Sequence, residues 1–323
     1  TGASFAWIGD SGTWPGGMKA LKTGVLAAWH QLEEGVPRVS VRWTGSLTVE
    51  GQQPDGPRDA SLQPGHHRVE RPGIARLEPH LRTPPVAAIY AANDGALDPV
   101  AVTGALVHAA HDHGADLVVG VAALSLRLDQ GRVVGVDTSA GYISADTVVL
   151  AAGADVPVLC AALGVHVPVT PSPAIRMHFA APAGVVKTVF ATPDVEVRES
   201  AGGGLLASVR YRGEVTSDDL AETGQRITGA IKSMFHGLED VRLHEARVGM
   251  RPMPSDGAPI IGPISAVPGL YVAVMHSGVT LAPLVGSLIA REVVDATETP
   301  ELGGCRPGRF AERATRASRD PST

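Results

Sequence analysis

A chain of 323 residues, 44% hydrophobic and 19% charged, has the material for a large core in one big or two interleaved domains. A formal charge of -6, with Lys and Arg scattered along the chain, gives no basic field for phosphodiesters and excludes nucleic acid as an expected partner. Two cysteines, Cys160 and Cys305, make neither a disulfide framework nor a metal knot, and no apolar run reaches the roughly 18 residues of a membrane span, so a soluble cytoplasmic protein with reduced thiols and no transmembrane segment is expected.

The chain starts at Thr1 without an initiator methionine and inside a recognisable motif, as processing or an incomplete reading frame would leave it. From Gly16 to Glu34 the pattern predicts a helix stopped by Gly35 and Pro37, and Trp43 to Glu50 then reads as a strand. Gly51 to Pro85, rich in Pro, Gly, His and Arg, reads as loop with a short helix near Gly73 to Leu77. Asp98 as N-cap, Pro99 at the first helical position and Gly114 as terminator delimit a helix.

Strands are expected at Leu117–Val121, Leu124–Leu128, Val133–Asp137 and Thr147–Ala151, the last continuously apolar, as burial on both faces requires. A second β-rich block runs from Ile175 to Tyr211 around a turn at Gly202–Gly204, followed by a helix from Ser217 to Phe235. A strand from Tyr271 precedes a helix from Leu281 to Asp295, in which Leu281, Leu284, Val285, Leu288 and Ile289 share one face.

Three stretches suggest chemistry. The loop His276, Ser277, Gly278, Val279 and Thr280 opens a helix, where backbone N–H groups and the dipole favour an anionic or electron-rich ligand edge. In GMRPMPSDGAPIIGP, Arg251 offers a planar fork for a carboxylate, whereas Asp256 with Gly257 reads as turn chemistry. The strand TVVLAAG ends in small residues that let a ligand approach closely. His108, His111 and His113 read as helix-end histidines in solvent, His66 and His67 make no better case, and no metal is expected. HSGVT lacks the G-x-S-x-G of a hydrolase.

Taken in order, ASFAWIGD, DGALDPVAVTGALVHAAHDHGA, VVGVDTSAGYISADTVVLAAGA, RPMPSDGAPIIGP, MHSGVTLAP and RPGRF resemble the flavin oxidoreductases that include D-amino-acid oxidase, glycine oxidase, sarcosine oxidase and the D-amino-acid dehydrogenases. The resemblance implies a mixed α/β fold. A Rossmann-like FAD-binding domain would be assembled from residues 1–42, 96–168 and 246–323, and a mixed β-sheet substrate domain from 43–95 and 169–245. It places Ser4, Ala6, Trp7 and Ile8 along the flavin and pyrophosphate, Ala123 at the adenosine half, Ala152 and Gly153 at the close-approach strand end, and Ser277 to Leu281 at the pyrimidine edge beside His276. Arg251 matches the arginine that holds a substrate carboxylate, and Tyr211 and His178 become candidate substrate contacts. No residue is singled out as certainly catalytic, and His276 is weighted toward a structural or flavin-positioning role.

The implied reaction is oxidation of the C–N bond of a small amine or amino acid, with oxygen or a quinone as electron acceptor. The family's G-x-G-x-x-G and the ribose-binding acid are expected just upstream of Thr1, outside this chain. The alternative is a truncated non-catalytic remnant, or one subunit of a multi-subunit flavoenzyme. Where monomeric sarcosine oxidases carry a flavin-linking cysteine this chain has Met250, Arg251, Pro252 and Met253, so FAD is expected to be non-covalent.

Overall fold

The computed structural model describes residues 1–10, 14–49 and 64–310. Strand β1 (Trp7–Ile8) is followed by helices α1 (Lys19–Lys22) and α2 (Val25–Gly35), strands β2 (Ser46–Val49) and β3 (His66–Glu70), helix α3 (Arg71–Leu77) and strands β4 (Ala87–Ala91) and β5 (Gly95–Ala96). Helix α4 (Pro99–Asp112) leads to strands β6 (Ala123–Asp129), β7 (Arg132–Thr138), β8 (Gly141–Ser144) and β9 (Val148–Leu150), then helix α5 (Val156–Ala161). Strands β10 (Val169–Ala180), β11 (Val189–Ala191), β12 (Glu196–Glu199) and β13 (Leu205–Arg210) precede helix α6 (Ser217–Met234). The chain closes with β14 (Arg242–Pro254), β15 (Ile260–Pro263), β16 (Leu270–Val274) and helix α7 (Gly278–Asp295). The mixed α/β class expected from the sequence is the one observed.

The chain divides into two compact units. The first comprises Thr1–Gly12, Trp29–Ala109 and Pro173–Gly249, and the second Thr13–Ala28, Ala110–Ser172 and Met250–Thr323. The principal element of the first is an eight-stranded sheet in the order β14-β10-β13-β12-β11-β2-β4-β3, in which β11 and β2 pair in parallel and the β10–β13 pair is antiparallel. Strand alternation gives the sheet two different faces. Ile175, Met177 and Phe179 of β10, in register with Val209, Ala207 and Leu205 of β13, pack with Ile227, Ile231 and Phe235 into one buried core. Their sequence neighbours Arg176, His178, Arg198, Leu206 and Ser208 occupy the opposite face.

In the second unit β16 lies between β15 and β9, parallel to β9 with Leu270 opposite Val148, and β6, β7 and β8 form a separate antiparallel meander. Val133, Val148, Val156, Ile260, Leu270 and Val272 belong to its core.

Several local expectations change. The helix expected from Gly16 to Glu34 is interrupted at Thr23–Gly24, where a Cβ on Gly24 would sit 3.1 Å from the Leu284 side chain. The strand expected from Trp43 narrows to Ser46–Val49, because Gly45 takes φ +72 against the Tyr90 ring; Glu50 and residues 51–63 lie outside the described residues. The remainder of the expected loop holds β3, hidden because HHRVE is a largely exposed edge strand without apolar alternation. The turn-rich RPMP ends the 13-residue β14, also an edge strand, where proline is tolerated. Leu117–Val121 forms no strand. Strand β9 is not buried on both faces: Val149 is 39% exposed between buried Val148 and Leu150, since β9 lies at an edge of its sheet. The α4 boundary stands, with Asp98 Oδ1 accepting from the Val100 and Ala101 amides at 2.9 and 3.1 Å.

Candidate functional site

In the first unit the segment Ser4–Ile8 is held by a small set of polar bonds. Strand β1 pairs with β5, Trp7 opposite Ala96 and Ile8 opposite Gly95. The Trp7 indole N–H and the Ser46 hydroxyl both donate to Asp94 Oδ2, at 2.8 and 2.7 Å, and Asp94 is fully buried. Only glycine fits beside this carboxylate: a Cβ on Gly9 would lie 2.3 Å from Asp94 Oδ1. Asp10 and His66 lie close by, 3.1 Å apart, and their ligand atoms with those of Asp94 fall within 4.8 Å of one another.

Ala6 is buried and takes φ +55, a left-handed conformation that costs a non-glycine residue about 1 kcal/mol. Hydrogen bonds on both sides hold it there. Its amide donates to Ser4 Oγ at 3.1 Å, its carbonyl accepts from the Leu97 amide at 3.2 Å, and the preceding Phe5 carbonyl accepts from Arg198. Arg198 is 3% exposed, and burial, followed by the nearby Arg42 charge, pushes its guanidinium down to about 10.

The two candidate substrate contacts of this unit have different surroundings. His178 stands on the face opposite the core, edge-on to His244 at 5.7 Å, with Nε2 3.1 Å from the Gly203 carbonyl. Tyr211 packs against the core cluster.

The second unit holds the remaining candidates. β9 and β16 are parallel neighbours, so Ala152 and Gly153 follow one carboxyl end while His276 and Ser277 follow the adjacent one. This is where doubly wound sheets present ligands to helix starts. Gly153 takes φ +61 with open space where a Cβ would project, and Ser277 takes φ +59 at the start of the 18-residue α7 without capping it by its side chain. The first amides of α7, those of Gly278 and Val279 among them, therefore open the positive end of a long dipole, and Thr280 and Leu281 are buried behind them. A small-residue strand end beside an uncapped helix start fits the anionic edge of a flavin or its phosphates. Ala123 lies apart from this pair, exposed at the start of the meander opposite Thr138.

Arg251 is exposed on β14 and is steadied by Ser172, its Nη2 donating to Oγ at 2.9 Å and its Nε to the carbonyl at 3.3 Å. Burial, then the Arg251 charge, pushes His276 below its ordinary value of 6.5, and the Ser277 hydroxyl lies 3.4 Å from its Nδ1. Arg251, Ser172, His276 and the α7 start all belong to the second unit. Sequence reasoning passed over Asp94, Ser46, Arg198 and Ser172. The Asp94–Gly95 turn pair and the solitary arginine in the strand EVRE were the available signals.

The described helices contain none long and apolar enough to cross a membrane. A family model described as DAO, FAD dependent oxidoreductase, matches residues 1–292. The chain is 32% identical to the uncharacterized oxidoreductase YurR of Bacillus subtilis over 60% of its own length and 54% of that protein's. It is 29% identical to a glycine oxidase of Geobacillus kaustophilus over 69% of its length and 60% of that protein's, so it spans somewhat more than half of these relatives. The glycine oxidase structure from Bacillus cereus superposes with a TM-score of 0.80 at 20% identity, covering 94% of this chain and 88% of the other. The chain belongs to the DAO family of FAD-dependent oxidoreductases.

Proposed function

We propose that this protein oxidises the C–N bond of a small amino acid, with non-covalent FAD as its cofactor. The observation that carries this reading is the exposed Arg251 guanidinium, steadied by Ser172 in the unit that also holds the parallel β9 and β16 ends and the α7 start. FAD, when bound, would supply a two-electron acceptor for hydride from the α-carbon, with oxygen or a quinone as the final electron acceptor.

Arg251 pairs with the substrate carboxylate through its planar fork, and Ser172 fixes the fork's orientation. Burial and the Arg251 charge lower the pKa of His276 and so favour its neutral form. The amides opening α7 would hold the electron-rich flavin edge, and Ala152 and Gly153 would let the cofactor approach the strand ends. The family resemblance gives Ser4, Ala6, Trp7 and Ile8 of the first unit a place along the flavin path, and Ala123 of the second a place at the adenosine half. His178, on the sheet face opposite the core, is the better placed of the two remaining substrate contacts. The buried thiols Cys160 and Cys305 are both pushed up to about 11 by burial, which leaves them unreactive.

Steady-state kinetics of Arg251→Ala test this. Loss of charge-assisted hydrogen bonds to a carboxylate lowers kcat/KM for amino acids about a hundredfold and leaves the matching amines without a carboxylate nearly unchanged. An equal loss for both substrate classes ends the carboxylate role.

A second reading, one subunit of a multi-subunit flavoenzyme or a non-catalytic remnant, is favoured by the exposed apolar side chains Leu117, Val118, Val119 and Leu124 of the second unit. A purified chain that is yellow and monomeric after gel filtration rules it out.

A further inference from the structure

We propose that Arg198 is a positioning residue for the flavin: from the large sheet it clamps the carbonyls of Phe5 and Leu97 and so imposes the left-handed conformation of Ala6 on the segment that lines the cofactor. The proposal rests on the reading that Ser4–Ile8 follows the flavin.

Arg198 is the buried cation of strand β12, yet among the described residues its hydrogen bonds go to backbone carbonyls. Nε and Nη2 donate to Phe5 O at 2.9 and 2.6 Å, Nη2 also to Leu97 O at 2.8 Å, and Nη1 to Glu199 O at 3.0 Å. The guanidinium also lies over the Phe5 ring, 5.1 Å from its centroid. A buried charge spent on carbonyls is a poor way to gain packing stability, because an apolar side chain of similar volume fills such a position without desolvating an ion. What the fork does supply is direction. Phe5 lies two residues before β1 and Leu97 one residue after β5, so one planar group fixes the carbonyls that flank the β1–β5 ribbon relative to the sheet.

Ala6 lies between the two anchored points. Its own amide and carbonyl are taken by Ser4 and Leu97, so once the Phe5 carbonyl is pinned the backbone at residue 6 has little freedom to leave φ +55. From there the chain enters β1, where the Trp7 indole reaches Asp94. A segment held by its backbone from a residue 193 positions away presents the same shape to a cofactor whatever its side chains do. The sheet and the flavin-lining ribbon then behave as one rigid piece.

The experiment compares Arg198→Lys with the wild-type full chain by FAD titration, the visible flavin spectrum, the flavin midpoint potential and Tm, in the native background and with Ala6→Gly. Lysine keeps the charge but loses the fork, and glycine adopts φ > 0 without strain. The expected result is an FAD Kd raised about tenfold in the native background, with a shifted spectrum and potential, and raised less than about threefold in the Ala6→Gly background, since the glycine no longer needs to be held. The same factor in both backgrounds overturns the route through Ala6. A lower Tm with FAD affinity, spectrum and potential all unchanged reduces Arg198 to a structural residue and overturns the proposal. Trp7→Phe separates the underlying reading: if it leaves flavin fluorescence and spectrum untouched, Ser4–Ile8 does not line the flavin and both fall. If Trp7→Phe alters them while Arg198→Lys does not, only the positioning role fails.

Discussion

Each unit holds a carboxylate in strongly shielded surroundings, and the two are pushed in opposite directions. In the first, Glu78 at the end of α3 is fully buried and accepts from the Lys187 amide, the Thr188 amide and the Thr188 hydroxyl. Burial raises its pKa, and these uncharged donors only partly oppose the rise. In the second, Glu292 of α7 is also shielded, but hydrogen bonds from Arg306, then Thr299 and Tyr271, outweigh desolvation and hold it at about 2. Neutral donors organise backbone around a buried acid; a fixed cation also makes its ionisation favourable. The first arrangement ties the α3 end to the loop before β11. The second ties the 299–306 segment to α7.

The sharpest way to break the comparison is to remove the acid of the first unit. Glu78→Ala strands the Lys187 and Thr188 amides in a closed space and is expected to cost about 3 kcal/mol in chemical denaturation. Glu78→Gln keeps one acceptor oxygen and is expected to cost about 1 kcal/mol. The raised pKa sets the sign of the pH response. Its contribution is complete below the ordinary value of 4.5 and is lost as pH rises through the folded value, so Glu78→Gln flattens that part of the stability profile. An unchanged profile means the site is hydrated.

Glu292 answers with the opposite sign and a smaller effect. Its folded pKa is depressed, so its contribution of about 1 to 2 kcal/mol, discounted for nearby solvent, is present above 4.5 and is lost as pH falls toward about 2. Arg306→Met shrinks this acid-side loss, leaving the part due to Thr299 and Tyr271, and lowers stability at neutral pH by about 2 kcal/mol. Guanidinium melts at pH 3 and pH 7 measure both quantities, and a variant as acid-sensitive as the wild type contradicts the assignment to this pair.

Legibility in the sequence followed the range of the interactions. Helix α4 could be read because Asp98, Pro99 and the Gly114 terminator are neighbours, and α7 because its apolar period is complete within one segment. The loop His276–Thr280 could be located because a buried strand, small residues and a helix follow one another directly. Strand β3 could not, since an exposed edge strand needs no apolar alternation. Arg198 could not either, because its partners lie 193 and 101 residues away, and a separation of 79 residues hides Ser172 behind Arg251. The fold class and the candidate loop after β16 were written locally; the polar scaffolding around the candidate residues was not.

The smallest predicted effect compares two helix starts. In the first unit α6 begins with a capping box, Thr216 Oγ1 accepting from the Asp219 amide at 3.2 Å and the Asp219 carboxylate accepting from the Thr216 amide at 2.9 Å. Thr216→Ala therefore costs about 1 kcal/mol. In the second unit Ser277 does not cap α7 and sits at φ +59, where glycine is at ease. Ser277→Gly is expected to change stability by less than about 0.5 kcal/mol in either direction, relief at positive φ offsetting the extra freedom of the unfolded chain. A start that tolerates loss of its side chain in denaturation yet weakens FAD binding is one whose amides face a ligand. A loss near 1 kcal/mol at Ser277, matching Thr216, makes α7 an ordinary capped helix and removes the distinction on which its cofactor role rests.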